Sequence, residues 1–317
     1  MKIIKLKFLD CWLGHIAEND LYYKILSKYY KIELCDDPDY IIDEGLGVEH
    51  LNPKYDKCVK LVSIGENCVP DFNLFDYAIG FDNLSFGDRY LRMPLFVFYS
   101  EFKKLAERTF RSDGELVNRD FCSFVVSNGG GDPFRTEFFK ELNKYKPVAS
   151  GGRYLNNIGG PVADKNAFCS KYKFNIAFEN SVSPGYTTEK VMQPYTVNTV
   201  PIYYGNPFVG DDFNVDSMVR IASRNDMQKA IEEIIYLDTH NEAYLEKVKC
   251  SCLVHPVEWY EERLIDFLRS IFDPSIDDAR RLIYYGMQNG YRYRLRKLYK
   301  MKSMLNIPLR LLRCFKH

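Results

Sequence analysis

Between Phe174 and Pro207 the chain reads FNIAFENSVSPGYTTEKVMQPYTVNTVPIYYGNP, and its chemistry-bearing residues fall at strand and helix ends. A β-rich run, Phe174–Phe178, delivers Glu179 and Asn180 to its C-terminal end. A helical pattern capped by Thr187 or Thr188 then places Tyr186, Glu189 and Lys190 at its start. Ligands of open parallel sheets bind outside the carboxyl ends of the strands. A helix N-terminus adds free N–H groups and a partial positive charge, both suited to a diphosphate. Lys190 in the first turn opposes the helix dipole, which costs stability unless an anion is near; a surface lysine beside Glu189 is the blander account, and position alone slightly favours it. Glu66 follows the apolar run Val59–Ile64, so it projects from another strand end, where a capping or solvated glutamate would also sit.

Elements that could hold these residues recur along the chain. Strands are expected at 2–8, 31–35, 40–43 and 58–64, with a helix over about 20–30 capped by Asp20. Further apolar sets, Tyr77–Phe81 and Leu95–Tyr99, precede a charged helix over about 101–110, and the polar stretch 111–120 reads as a linker. The pattern then restarts. A buried strand, Phe121–Val126, leads through the turn Ser127–Gly131 to a helix with Asp132 at its cap and Pro133 in its first turn, running to about Tyr145. Strands Phe174–Phe178, Val200–Tyr204 and Val219–Ser223 follow, then amphipathic helices over 226–237, 241–249 and 258–272. Alternating strands and helices describe βαβ units on parallel sheets.

The stretch from Phe174 to Pro207 resembles the donor-binding signature of the α-1,3/1,4-fucosyltransferases, glycosyltransferase family 10, whose pattern runs F-x-(I/L)-x-F-E-N, Y-x-T-E-K and P-(I/L)-Y-(W/Y)-G. Gly65-Glu66-Asn67, Pro70–Asp82 (PDFNLFDYAIGFD) and Asp88–Pro94 (DRYLRMP) are similar to the acceptor half of the bacterial, Helicobacter-like members, and Cys122–Asn128 with Arg135 to their strand-and-arginine segment. Tyr204 stands where many members have Trp, and Thr187 where Val is common. The resemblance implies an α/β protein of the GT-B class: two Rossmann-like domains facing a cleft, an acceptor domain at 1–118, a GDP-fucose domain at 119–275 and a basic amphipathic tail at 276–317. It implies an inverting transfer of L-fucose from GDP-β-L-fucose to the 3-hydroxyl of N-acetylglucosamine in a lactosamine-type glycan. Glu66 then matches the proposed general base, with Asp71 and Asp76 the next carboxylates to consider. Arg135, Asn180, Tyr186, Glu189 and Lys190 match donor-contacting positions: Arg135 and Lys190 for the diphosphate, Glu189 for ribose or fucose hydroxyls, Asn180 and Tyr186 completing the pocket. Such a transfer needs one carboxylate for the acceptor proton and stabilisation of the departing diphosphate. Two cations and a helix end can supply the second, so no metal or other cofactor is expected.

Composition bounds the alternatives. The 317 residues suit two cores, and 24 Tyr and 22 Phe supply both core and stacking surface. Nine Cys show no CxxC spacing, the pair Cys250 and Cys252 near His255 falls short of a zinc site, and neither Asp36–Asp39 nor Asp211-Asp212 forms a metal motif. The odd, unpatterned thiols and a start (MKIIKLKFLD) unlike a signal peptide predict a cytoplasmic protein. Eleven of the 43 basic residues lie within 279–317, which has no acid, so 32 bases face 43 acids elsewhere, a net of −11. The interleaved YRYRLRKLYK and IPLRLLRCFK of that tail predict a peripheral contact with anionic membrane at the cytoplasmic face of the inner membrane. An acidic body without a recognition module speaks against nucleic acid. Rival readings are another nucleotide-sugar transferase of the same fold and a catalytically silent glycan- or nucleotide-binding protein; donor selectivity and transfer to an acceptor discriminate them.

Overall fold

The computed structural model describes residues 1–304. The chain forms two compact units, one made of residues 1–80, 84–91 and the segment from 265 onward, the other of 81–83 and 92–264. This division differs from cuts at 118 and 275.

In the first unit a six-stranded sheet has the order β2-β1-β3-β4-β5-β6. Its strands are β1 (Ile3–Leu9), β2 (Lys31–Leu34), β3 (Tyr40–Asp43), β4 (Val59–Ser63), β5 (Tyr77–Gly80) and β6 (Tyr90–Arg92), and β1 to β5 pair in parallel. β3 and β5 are buried along their whole length, as interior strands of a parallel sheet covered on both faces must be. Helix α1 (Leu21–Leu26) joins β1 to β2 and starts where expected: the Asp20 carboxylate accepts the Tyr22 N–H at 2.7 Å. Because β1 lies between β2 and β3, the strand order reverses at β1/β3, and a crevice opens there beyond the strand ends.

The second unit repeats this topology. Its helices and strands are α2 (Asp113–Val117), β7 (Asp120–Phe124), α3 (Phe134–Leu142), β8 (Val148–Ser150), α4 (Lys165–Cys169), β9 (Tyr172–Phe178), α5 (Glu189–Thr196), β10 (Val200–Tyr204), β11 (Val219–Arg220), α6 (Met227–Thr239) and α7 (Asn241–Lys249). The parallel sheet has the order β11-β10-β9-β7-β8, so its reversal lies at β7/β9. Phe124, Phe134, Phe138, Phe174, Phe178 and Tyr204 form its aromatic core. Each such ring contributes about 1.5–3 kcal/mol by leaving water. Helix α8 (Val257–Phe272) starts in this unit and ends in the first.

Several sequence expectations are corrected. Within the apolar set Leu95–Tyr99, Leu95–Phe98 is one turn of 3-10 helix that buries Leu95, Phe96 and Val97. The helix expected over 101–110 is a single turn at Phe102–Leu105; beyond it Arg108 draws the chain away by donating to the carbonyls of Val248 and Cys250 at 2.6 and 3.1 Å. The supposed linker 111–120 folds, since Ser112 and Glu115 cap α2 reciprocally and Leu116 enters the core. Helix α3 takes Pro133 at its cap, although Asp132 still accepts the Phe134 N–H at 2.9 Å. The described part of the tail, α9 (Ile276–Ala279) and α10 (Gly286–Met304), belongs to the first unit. Asp76 accepts the Arg281 and Leu282 N–H groups at 2.7 Å each, Tyr77 donates to the Ala279 carbonyl at 2.7 Å, and buried Arg292 donates to the Asn73 carbonyl at 3.1 Å. Residues 305–317, which include IPLRLLRCFK, lie outside the described residues.

Candidate active site

In the second unit, the chemistry-bearing residues gather at the reversal between β7 and β9. The sheet ladder continues one residue past β9, where the Glu179 N–H donates to the Tyr204 carbonyl at 2.9 Å, and this directs the Glu179 side chain inward. Its carboxylate is wholly buried. It accepts the Thr188 N–H at 2.8 Å and the Thr188 hydroxyl at 2.7 Å. Thr188 is also the N-cap of α5, its hydroxyl oxygen accepting the Lys190 N–H at 3.4 Å. One threonine therefore fixes the helix start and the carboxylate together. Gly205 is required beside them: a Cβ there would lie 2.5 Å from Glu179 Cγ.

Lys190 completes the group. Its ammonium lies 3.4 Å from Glu179 Oε2, 3.3 Å from Glu189 Oε1 and 3.0 Å from the Thr188 hydroxyl, with its side chain 18% exposed. Burial raises the Glu179 pKa, with the Lys190 charge pulling the other way. Burial also works against the charge on Lys190, but Glu179 and Glu189 outweigh it and the ammonium's pKa is raised. For Glu189 burial is overcome by Lys190 and Lys165, and the carboxyl stays below its ordinary value. Two carboxyl groups thus surround one ammonium, and Lys165 is the next cation acting on Glu189.

Asn180 Oδ1 accepts from Arg135 Nη1 at 3.2 Å, and Asn128, beyond β7, receives Nη2 through its carbonyl at 2.5 Å. Arg135 is 1% exposed, its Nε has no hydrogen bond among the described residues, and burial lowers its pKa. Gly131 leaves it room, since a Cβ there would sit 2.8 Å from Nη2. Tyr186 lies against Phe81, ring centroids 5.0 Å apart, next to Gly185, whose φ of +82° and 2.0 Å approach of a built Cβ to the Phe81 carbonyl oxygen exclude any side chain. Asn206 holds this loop by accepting the Gly185 N–H at 2.7 Å and donating to the Thr187 hydroxyl at 2.9 Å.

The structure thus brings Arg135 to Asn180 and Glu189 to Lys190, with Tyr186 in the same loop. Glu66 belongs to the first unit, exposed on the segment after β4, its carbonyl accepting the Cys68 N–H at 2.7 Å.

Residues 6–99 match the family described as Alpha-(1,3)-fucosyltransferase FucT N-terminal domain, and residues 118–251 match Glycosyltransferase family 10 (fucosyltransferase) C-term. Crystal structures of α1,3-fucosyltransferase with GDP and with GDP-fucose are each 31% identical to this chain at a TM-score of 0.73. The matches cover 86% and 90% of this chain and 91% and 94% of those chains. The chain belongs to glycosyltransferase family 10. Alpha-(1,3)-fucosyltransferase FucT of Helicobacter pylori is 37% identical to it over 265 residues, 72% of this chain and 55% of that protein. The chain therefore spans about half the length of the curated relatives it matches.

In this family 10 chain, Glu66 lies within the N-terminal match, and the five other candidates lie within the C-terminal one. Sequence reasoning placed Glu179 at the strand end and Thr188 at the helix cap without giving either a part in the site, and passed over Gly205 and Asn206. The signal available for Glu179 is an acid directly after the apolar-rich strand end FNIAF, opposite a glycine that follows the next strand.

Proposed function

We propose that this chain transfers L-fucose from GDP-β-L-fucose to the 3-hydroxyl of N-acetylglucosamine in a lactosamine-type glycan, with inversion. The observation that carries the reading is the Glu179–Thr188–Lys190–Glu189 group at the start of α5, inside the family 10 segment. An arriving diphosphate exchanges for Glu189 at the Lys190 ammonium, and the freed Glu189 carboxylate accepts ribose or fucose hydroxyls. Arg135, with its unbonded Nε and glycines in the turn beside it, rotates toward the same anion while Asn180 and Tyr186 close the pocket. Glu66 takes the proton of the acceptor hydroxyl as that oxygen bonds to the sugar's anomeric carbon. The bond to the diphosphate breaks, and the negative charge left on GDP is met by Lys190 and Arg135. No step uses a metal. Transfer from GDP-fucose to lactosamine and to its type-1 isomer, with linkage analysis of the product, tests the reading; turnover with a UDP-sugar and none with GDP-fucose overturns it.

We further propose that the chain works on the cytoplasmic face of an anionic membrane, decorating a surface polysaccharide under assembly. Support comes from the face of α10 turned to solvent, where exposed Met287, Leu298 and Met301 alternate with Arg294 and Lys297. Apolar and basic residues so mixed suit a helix lying in the headgroup layer. The part of the tail facing inward commits its charges elsewhere: Arg296 pairs with Asp56, and Arg281 with Asp88 at 2.6 Å. No helix among the described residues is long and apolar enough to cross a membrane.

A further inference from the structure

The two units share one topology, and the second carries its candidate site at the strand-order reversal. The corresponding reversal in the first unit, β1/β3, also holds a cluster of charged side chains. Asp10 is the first residue after β1, held with φ +51°; Asp43 ends β3; and His50 follows in the loop to β4. His50 Nδ1 lies 3.3 Å from Asp10 Oδ2 and 3.2 Å from Asp43 Oδ2. Asp43 is wholly buried and His50 nearly so, and the Asp10 side chain is 11% exposed.

Hydrogen bonding accounts for only part of this cluster: His50 Nδ1 and Asp10 Oδ2 are hydrogen-bonded at 3.3 Å. Asp43 Oδ1 accepts the Gly45 N–H at 2.7 Å, and Asp10 Oδ2 accepts the Glu49 N–H at 2.8 Å. Asp43 Oδ2, aimed at the imidazole, has no hydrogen bond among the described residues. The single Nδ1 of His50 holds at most one proton for two carboxylates. Gly47 keeps the space open, since a Cβ there would stand 2.1 Å from Asp10 Oδ1. Ligand atoms about 2.0–2.2 Å from a tetrahedral zinc ion lie roughly 3.3–3.6 Å from one another, close to the separations seen here. The next residues repeat the theme, as Cys11, His15 and Glu44 also bring their ligand atoms within 4.8 Å of each other. None of Asp10, Asp20, Asp43 or Glu44 forms an ion pair with a lysine or arginine among the described residues.

We propose that Asp10, Asp43 and His50 bind a divalent cation of the zinc class, with one or more positions left to water. Two carboxylate oxygens and one imidazole nitrogen favour zinc, cobalt or manganese over magnesium or calcium, which take all-oxygen sites. The cation ties the β1–α1 and β3–β4 loops to the crevice of the first unit, and the transfer chemistry proposed above makes no use of it.

The test uses the full chain, stripped with chelator and then dialysed against Zn²⁺ at buffered concentrations. Elemental analysis is expected to find about one zinc per chain, and Co²⁺ in its place to give visible d–d absorption of a low-symmetry N/O site. Melting temperature should rise with Zn²⁺ and not with Mg²⁺ or Ca²⁺. Asp43→Asn and His50→Gln should lose the bound metal, Cys11→Ser should keep it, and all three should keep the GDP-dependent thermal shift that reports a folded second unit. If a ligand variant fails to fold, Asp10→Asn replaces it, with the Co²⁺ spectrum as readout. Stripped wild-type protein that takes up no zinc overturns the site, and so does undiminished uptake by the ligand variants.

Discussion

The Glu179 carboxylate, sealed from solvent, stands 3.4 Å from the Lys190 ammonium at the start of α5. Lys190 thus neutralises a buried carboxylate, and in the proposed reaction it also presents a cation to the diphosphate. Lys190→Ala should therefore fail in both. Removing one partner of a buried pair costs about 3 kcal/mol, and donor affinity should fall with turnover because the contact exists in ground and transition states alike. The pH dependence has a definite sign. Burial already raises the Glu179 pKa above its ordinary 4.5, so the group favours the fold below that value and loses this contribution as pH rises through the folded value. Without Lys190 the folded pKa climbs further, so the melting-temperature gap from wild type should widen between about pH 5 and pH 8. A gap independent of pH would show that Glu179 does not depend on Lys190.

GDP should stabilise the protein and UDP should not. At a hundred times its dissociation constant a ligand adds roughly 2.7 kcal/mol, readily seen in melting. The shift should persist in EDTA even where the chelator lowers the starting temperature by emptying a cation site in the first unit. Equal shifts with both nucleotides contradict the donor assignment, and loss of the GDP shift in EDTA places a metal in donor binding.

Gly205→Ala probes the packing around Glu179. The added methyl has 2.5 Å to Glu179 Cγ, so the carboxylate must leave its threonine partners. Such overpacking costs about 1–3 kcal/mol. The GDP-dependent shift should shrink as well, since the start of α5 moves with Thr188; wild-type values for both stability and shift would mean that the carboxylate has slack.

Much of this was legible in the sequence. Strands β3, β9 and β10 are apolar-rich runs of buried parallel sheets, and Asp20 and Thr188 cap their helices as oxygen side chains at such positions should. The misses have physical causes. Val148–Ser150 is three residues long, too short to show a period. Arg108 and Leu116 set the course of 101–120 through partners distant in sequence. Glu179 was legible as an acid at a strand end but not as a compensated buried one, because its compensation comes from Thr188 and Lys190 across a loop. The Asp10, Asp43 and His50 cluster was equally hidden, as its members are brought together only by the β1/β3 pairing.

The tail requires a finer cut than its composition suggested. Ending the chain at Asp278 would strip Asp76 of the two N–H donors it receives from Arg281 and Leu282 and damage the first unit. Reversing Arg294, Lys297 and Lys300 to Glu, together with removal of residues 305–317, leaves those contacts in place. Each basic residue near an anionic surface adds roughly 1 kcal/mol, so the altered protein should no longer sediment with anionic vesicles while lactosamine transfer in solution continues. Unchanged vesicle binding refutes the membrane reading.

Glu66 carries the proposed proton transfer, and the structure narrows its competitors. Asp76 is buried with both oxygens engaged, by the Lys60 N–H at 2.9 Å and by Arg281 and Leu282. Asp71 is tied to Asn73 at 2.9 Å and to the Tyr291 hydroxyl at 2.8 Å. Glu66 is exposed on the segment after β4. Glu66→Gln keeps its shape and hydrogen-bonding reach but removes the basic oxygen. Transfer should fall by roughly two to four orders of magnitude, the usual contribution of a positioned base. GDP affinity should hardly change, because the loss belongs to the transition state. Lys190→Ala, by contrast, lowers both, so the pair of variants separates base from leaving-group stabilisation. Should Glu66→Gln keep more than about a tenth of wild-type turnover, a loss far smaller than a base contributes, the proton goes to another group.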